Sequence, residues 1–341
     1  MPNGHSEIVA IADDLTGALE TGAKFAARGI AATAVTQFDS PAQIGCPVLI
    51  ADTESRHLPA DEVAERIRHV ATLARDMAVQ LLYKKTDSTL RGNIAAELMA
   101  LLELFPGRRL VYAPAYPELG RTVKQGRLFV HGRPVHETEF AKDPLAPVRD
   151  CSIRDLLGGV PALILDGDCN EDIDEAAKMI WQDSAPRLCA GPAALAGALA
   201  HQMSSPVVEV NMPKLSRCLV VNGSLHPASL KQIMTAAQRG VFGDNWKLLE
   251  ENVEGAGTER ALRLGECVRR LLASSHFDGL IVFGGNTAFG ISNALGCASF
   301  EVIGEVTAGV AVSRSGGLWW ITKAGGFGPP DILNTIRGRL T

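Results

Sequence analysis

Residues 81–102 change character twice within a short distance. Leu81-Leu82-Tyr83 is an apolar run of the kind that ends a buried strand. Lys84-Lys85-Thr86-Asp87-Ser88-Thr89-Leu90-Arg91-Gly92-Asn93 then packs cations, a carboxylate, hydroxyls and a glycine together. An Ala/Leu-rich helical pattern follows over residues 94–102. A polar cluster where a strand hands over to a helix lies, in an open α/β sheet, at the carboxyl edge where ligands bind. The amides that open the helix favour an anion there. Lys84, Lys85 and Arg91 add positive charge, and Asp87 has the chemistry of a general base. A solvated loop accounts for charge alone. This one mixes base, cation and hydroxyl types, which suits an anionic, hydroxylated ligand, although it names no reaction.

The same handover recurs along the chain. Residues 7–12 form an apolar strand that runs into Asp13-Asp14, and residues 15–28 carry small and apolar side chains at helical spacing up to Gly29, a natural helix stop. Residues 31–36 and 47–51 read as strands, the second ending in Asp52-Thr53-Glu54-Ser55-Arg56, and residues 60–79 as an amphipathic helix. Residues 109–113 and 163–166 read as further strands, and residues 171–181 as a helix. Residues 114–150 break the pattern with prolines and glycines, and residues 129–135 read as a hairpin with a Gly-containing turn. A second unit opens near Leu215. In it the strands at 218–221, 279–283 and 318–322 each run into a glycine-containing polar turn. This alternation predicts the α/β class, with two domains at residues 1–210 and 211–341. Each is expected to be a mostly parallel sheet flanked by helices, with a cleft between them.

Composition narrows the function. The 341 residues accommodate two domains, and a 46% hydrophobic content supplies a sizeable core. A net charge of −5 without a basic stripe argues against nucleic acid as the main partner. The polar start from Met1 to Ser6 lacks a signal-peptide pattern, and no run of about 18 apolar residues offers a membrane span. The seven cysteines are scattered and never form C-x-x-C, so neither a zinc site nor a disulfide framework is expected. They read as reduced thiols of a cytoplasmic protein.

Three further constellations carry chemistry. Asp13-Asp14 ends the first strand, and neighbouring carboxylates there bind Mg²⁺ or take a proton from a hydroxyl; one of the pair is expected to cap the following helix while the other faces the ligand. Arg56 offers a bidentate fork to a carboxylate, or pairs locally with Glu54. Gly284-Gly285 and Gly325-Gly326 let phosphate approach main-chain amides. Neither G-x-x-x-x-G-K-[ST] nor G-x-G-x-x-G is present, so a nucleotide is held in some other geometry. His226 and His136 stand near candidate sites without a metal-ligand partner at i+2 to i+4, and no nucleophile elbow is present.

These residues together resemble the four-carbon acid sugar kinase family. Ile11-Ala12-Asp13-Asp14-Leu15-Thr16-Gly17-Ala18 is similar to its N-terminal signature, and Asp52-Thr53-Glu54-Ser55-Arg56 to its second motif. Lys84-Lys85-Thr86-Asp87-Ser88-Thr89-Leu90-Arg91-Gly92-Asn93 resembles its most specific one, and Ala113-Pro114-Ala115-Tyr116-Pro117 with Val130-His131-Gly132 and Asp143-Pro144 follows its long loop. The second half resembles the family more loosely and looks shorter. Val221-Asn222-Gly223-Ser224 with Gln232, Gly284-Gly285-Asn286-Thr287 and Lys323-Ala324-Gly325-Gly326-Phe327-Gly328 are its counterparts, with Asn286 where an acidic residue is usual.

The resemblance implies an N-terminal domain that binds the acid sugar and a C-terminal domain that binds ATP. ATP, as its Mg²⁺ complex, would phosphorylate a hydroxyl of threonate, erythronate or a 3-oxo-tetronate. Asp13, Asp14, Arg56, Lys85, Asp87, Ser88, Arg91 and Gly92 are then the substrate-binding residues. Asp14, Asp87, Lys85 and Arg91 among them serve catalysis. Ser224, Gly284, Gly285, Asn286, Thr287, Gly325 and Gly326 hold the nucleotide, and no metal ligand is assigned. The alternative is a non-catalytic acid-sugar or nucleotide sensor derived from such a kinase, for which Asn286 is the motive. A homodimer is a possible assembly that the sequence does not decide, and neither nucleic acid nor membrane is expected as a partner.

Overall fold

The computed structural model describes residues 6–38, 45–143, 145–203, 211–249 and 257–341. β1 (Ile8–Ala12) feeds α1 (Leu15–Ala26); β2 (Ala32–Val35) and β3 (Val48–Asp52) precede α2 (Ala60–Asp76). β4 (Leu81–Lys85) hands over to α3 (Ile94–Leu104), and β5 (Leu110–Tyr112) follows. β1, β3, β4 and β5 are buried along their whole length, as strands covered by helices on both faces must be.

The irregular region contains β6 (Arg121–Lys124), β7 (Arg127–Val130) and β8 (Arg133–Pro134), a small antiparallel sheet of its own. The expected hairpin is there. Phe129 pairs with Pro134 and Val130 with Arg133 around His131-Gly132, whose φ values of 49° and 79° are those of a tight hairpin turn. After α4 (Ile153–Leu157) come β9 (Ala162–Ile164), α5 (Asn170–Gln182), β10 (Arg187–Gly191) and α6 (Ala193–His201). The second half comprises β11 (Cys218–Asn222), α7 (Pro227–Gln238), β12 (Trp246–Leu248), α8 (Gly257–Ser274), β13 (Gly279–Phe283) and α9 (Gly285–Leu295). It closes with β14 (Ser299–Thr307), β15 (Val310–Ser315), β16 (Leu318–Lys323) and α10 (Ile332–Leu340).

The predicted α/β class is observed, and the two halves share one sheet. Its order is β12-β11-β13-β16-β15-β14-β2-β3-β1-β4-β10-β5-β9. The seven strands from β2 to β9 are parallel to one another, as are β12, β11, β13 and β16. Between these blocks β14 and β15 run antiparallel, and β14 joins β2 through Ser299–Val35, Phe300–Ala34, Glu301–Thr33 and Val302–Ala32. One hydrophobic cluster continues across this junction, from Ile8 and Leu81 to Phe300, Trp320 and Leu219.

Strand order also locates two crevices. In the first half the chain fills positions on one side of β1 and then crosses to β4 on the other. In the second it goes from β11 to β12 on one side and then to β13 on the other. Ligands bind at such switch points, beyond the carboxyl ends of the strands. The first pair of ends carries Asp13-Asp14 and Thr86-Asp87-Ser88; the second carries Asn222-Gly223-Ser224 and Gly284-Gly285.

Candidate active site

Asp14 is the member of the pair that caps α1, and it also pairs with Arg56. Its Oδ1 accepts the Gly17 amide at 2.7 Å, while Oδ2 accepts the Thr16 hydroxyl at 3.1 Å and Arg56 Nη1 at 2.6 Å. Asp13 takes the other edge of the same guanidinium, with Nε at 2.6 Å and Nη2 at 2.9 Å. The bidentate pair of Arg56 is therefore made with Asp13, and Glu54 is not its partner. Burial works to raise the Asp13 pKa, but the charge of Arg56, assisted by Lys84 and Lys85, holds it at about 2.

Asp87 is equally committed. Arg91 donates from Nη2 to Oδ1 at 2.8 Å and from Nε to Oδ2 at 3.0 Å, and the Thr89 amide adds a bond at 3.0 Å. Burial opposes ionisation, yet Arg91 and Arg56 hold this carboxyl well below the usual range. Arg91 also reaches Asp143 at 3.1 Å. Arg56 and Arg91 are thus already matched by carboxylates of the protein.

Lys84 and Lys85 separate, because successive residues of a strand face opposite ways. Lys84 is fully buried and pairs with Glu97 at 3.1 Å, and it also donates to the Lys85 carbonyl at 2.7 Å. Lys85 turns into the crevice, where it is 4% exposed and, among the described residues, has no carboxylate within 4 Å. Together with Asp14, Glu20 and Ser88 it faces Ala324 and Phe327 of the second half around a gap of only about 10 Å³. The Ser88 hydroxyl is buried without a hydrogen-bond partner among the described residues. On the other side, Arg56, Arg91 and Gly92 line an open groove of about 680 Å³ at the start of α3.

Three residues in or beside this crevice carry no assignment from sequence. Glu20 lies one turn beyond Thr16 and Gly17 on the same face of α1, so helical spacing was sufficient to find it. Its Oε1 accepts the Tyr116 hydroxyl at 3.0 Å, and burial raises its pKa. Arg121, at the start of β6, lies in a region without periodicity, so no spacing pointed to it. It is 5% exposed and lies between the rings of Phe140 and Phe327, 6.0 Å and 5.3 Å from their centroids. Its guanidinium donates to the Leu119 carbonyl, its Nε is unpartnered, and among the described residues no carboxylate lies within 4 Å of it. Lys323 ends β16 and is 1% exposed, 4.1 Å from the centre of the Phe283 ring. Burial lowers its pKa to about 7.

The glycine turns are held from α7. Ser229 donates to the Gly325 carbonyl at 2.7 Å, and Gln232 Nε2 donates to the carbonyls of Phe327 and Gly328 at 2.9 and 2.8 Å. A side chain at Gly325 would land on the Ser224 hydroxyl, and one at Gly326 would stand 3.2 Å from His226 Nε2. Gly284 has φ of 104°, and Gly285 opens α9 directly against the first half. A Cβ there would lie 2.6 Å from Asp14 Oδ2. Asn286 is half-buried in the first turn of α9, while Thr287 is buried against Gly223.

Two more carboxyls stand beside the acid cluster. Asp52 Oδ2 and Glu54 Oε2 are buried without a hydrogen-bond partner among the described residues. Burial and the neighbouring carboxylates raise their pKa values to about 8 and about 9. Hard oxygen donors of this kind suit Mg²⁺, which commonly takes one or two carboxylates and completes its shell with water and phosphate. Among the described residues no three metal-ligating side chains converge in the crevice; the group that does converge is His136, Asp150 and Cys151 on the long loop. All seven cysteines are free, as expected. No described helix is long and apolar enough to cross a membrane.

An α/β protein with two facing switch points, one lined by carboxylates and cations and the other by glycine turns, is built to bring two ligands into contact. This chain belongs to the four-carbon acid sugar kinase family. The sugar-binding N-terminal domain of that family matches residues 8–160, and its nucleotide-binding C-terminal domain matches residues 244–333. The chain is 30% identical to D-threonate kinase of Bordetella bronchiseptica, over 95% of each chain. A crystal structure of a Bordetella bronchiseptica domain of unknown function, a domain-swapped dimer with bound citrate, shares 30% identity at a TM-score of 0.54, covering 98% of both chains. A protein of Salmonella typhimurium LT2 shares the fold at a TM-score of 0.77 with 20% identity, covering 98% of this chain and 99% of that one.

Proposed function

We propose that this chain is an ATP-dependent kinase that phosphorylates a hydroxyl of a four-carbon sugar acid. The observation that carries this reading is the approach of Gly285 to Asp14. The amino end of α9, where phosphate is favoured, opens within contact distance of the carboxylate that faces the acid side. Transfer between two ligands needs such a meeting point.

Phosphoryl transfer is governed by positioning and charge stabilisation. Lys85 and Arg121, two buried cations with no carboxylate within 4 Å among the described residues, answer the charge of the sugar acid and the transferring phosphoryl. Arg56 and Arg91 fix Asp13, Asp14 and Asp87 in place, and Ser88 and Gly92 complete the acid side. Asp14 orients the hydroxyl, because it stands opposite Gly285, whereas Asp87, held well below the usual range by the Arg91 and Arg56 charges, is too weakly basic and stays paired with Arg91. Ser224, Gly284, Gly285, Asn286, Gly325 and Gly326 hold the nucleotide; Thr287 braces the turn through Gly223. Asp52 and Glu54 would hold Mg²⁺, which supplies charge neutralisation on the phosphates. The open groove beside Arg56 and Gly92 is the route for the acid. In this reading residues 1–210 serve the acid and 211–341 the nucleotide. The protein acts in the cytoplasm, and the Bordetella domain-swapped dimer supports a homodimer, which sedimentation tests.

The test is ADP release with threonate, erythronate and 3-oxo-tetronates at saturating Mg²⁺. Release with at least one acid is expected. No release with any, alongside acid binding by calorimetry, overturns the kinase and leaves the sensor that Asn286 motivates.

A further inference from the structure

His226 is the N-cap of α7 and has a fixed tautomer. Its Nδ1 accepts the Ala228 amide at 3.2 Å, so in the neutral ring the proton resides on Nε2. That Nε2 is buried and, among the described residues, has no hydrogen-bond partner. It lies over the glycine turn, 3.2 Å from where a Cβ of Gly326 would stand. The ring is held 5.9 Å from Phe140, and Glu139 is 3.9 Å from Nε2, so His226 sits where the long loop of the first half meets the nucleotide half. Burial lowers its pKa and so favours the neutral ring. The chain therefore presents one oriented N–H donor, pinned from behind by a helix amide, at the boundary between the two ligands.

We infer that His226 donates from Nε2 to a terminal phosphate oxygen of ATP and so positions the group to be transferred. The inference rests on the kinase reading for its ligand. The two ring nitrogens have separate jobs, and two substitutions separate them. His226→Asn keeps an acceptor at the Nδ1 position, and Asn is a good N-cap, but it has nothing at Nε2. His226→Gln places an amide N–H near the Nε2 position and gives up the cap.

The experiment is calorimetric titration with ATP and with AMP, without acid, together with thermal melts and KM values. H226N should keep its melting temperature and its KM for the acid while losing about ten- to a hundredfold in ATP affinity, the span of a hydrogen bond to a charged group. Its AMP affinity should not change. H226Q should recover most of that ATP affinity and melt lower. Unchanged ATP affinity in folded H226N overturns the assignment, as does an equal loss for AMP. Wild type that binds ATP without turning it over removes the kinase reading but leaves this comparison decisive. Wild type that binds no ATP overturns both.

Discussion

Gly285 and Asp14 lie 271 residues apart in sequence, yet a single carbon added to Gly285 would stand 2.6 Å from the Asp14 carboxylate and 3.1 Å from the Thr16 hydroxyl. Closeness of that kind is set by backbone, and the helix start at α9 cannot retreat without disturbing β13. Gly285→Ala should therefore displace Asp14 from the hydroxyl that we propose it orients. Overpacking of this kind costs about 1–3 kcal/mol, or roughly ten- to a hundredfold in rate if it falls on the transition state. Steady-state kinetics with a thermal melt check it. Full activity would mean that the two sites do not work at this contact.

Arg121 and Arg91 should respond in opposite ways. Among the described residues Arg121 has no carboxylate within 4 Å to leave behind, so Arg121→Met removes a buried charge without stranding a partner and should leave stability unchanged or raised. Its kcat/KM should fall by about a hundredfold or more, the cost of losing one preorganised charge contact. Arg91→Ala strands Asp87 and Asp143, and should cost about 3 kcal/mol of stability. Denaturant melts and kinetics on both variants separate the two.

Lys323 gives a dependence on pH. Its folded pKa of about 7 lies below the ordinary 10.5. Below pH 7 the amine is charged in both folded and unfolded chains, and the fold bears the full cost of burying it. That cost is relieved as pH rises from about 7 toward 10.5. Lys323→Met should thus be more stable than wild type, with a margin widest below pH 7 and closing above it. ATP phosphate near this amine should restore its proton, so binding at pH 8 should take up a proton in wild type and not in the variant. Calorimetry in two buffers of different ionisation enthalpy reads it directly.

Asp52 behaves with the opposite slope. With a folded pKa raised to about 8 from 3.8, it stays protonated while the unfolded chain ionises. Stability is therefore lost as pH rises between those two values. Asp52→Asn should match wild type near pH 4 and exceed it increasingly up to pH 8. If Mg²⁺ binds here, adding it should raise the melting temperature of wild type at pH 8 and leave the variant unmoved.

Asn286 tests the chemistry of the second half. It retains the hydrogen-bonding shape of an acidic residue without the charge. Asn286→Asp should leave turnover within roughly tenfold, about 1.4 kcal/mol. Activity that appears only in Asn286→Asp would make wild type the sensor.

Much of this was legible because buried parallel strands announce themselves. The segments at 8–12, 81–83, 218–221 and 279–283 are continuous apolar runs followed by abrupt polar stretches, and those ends are where the switch points fall. The linking strands lacked that signal. β14 alternates exposed and buried residues and carries Glu301 and Glu305, so it reads as surface until β2 and β15 pair with it. Pairings between distant side chains were also out of reach. Asp13 and Arg56 were both picked, but their fork spans 43 residues and has no local pattern. Lys84 could have been separated from Lys85 by strand alternation alone. Arg121 became visible only when Phe140 and Phe327 closed over it from two parts of the chain.

The junction of β14 with β2 bears on how the molecule comes apart. Two domains on a flexible linker melt independently, each with its own transition. Here backbone hydrogen bonds run unbroken from one outer strand to the other, and side chains of both halves interlock beneath them. Loss of either half strips an edge of its neighbour and exposes the interior that they hold in common. Unfolding should accordingly be all-or-none, with the calorimetric enthalpy equal to the van't Hoff value. The acid side and the nucleotide side share a single thermodynamic fate, so a ligand that binds one should protect the whole chain from heat and protease.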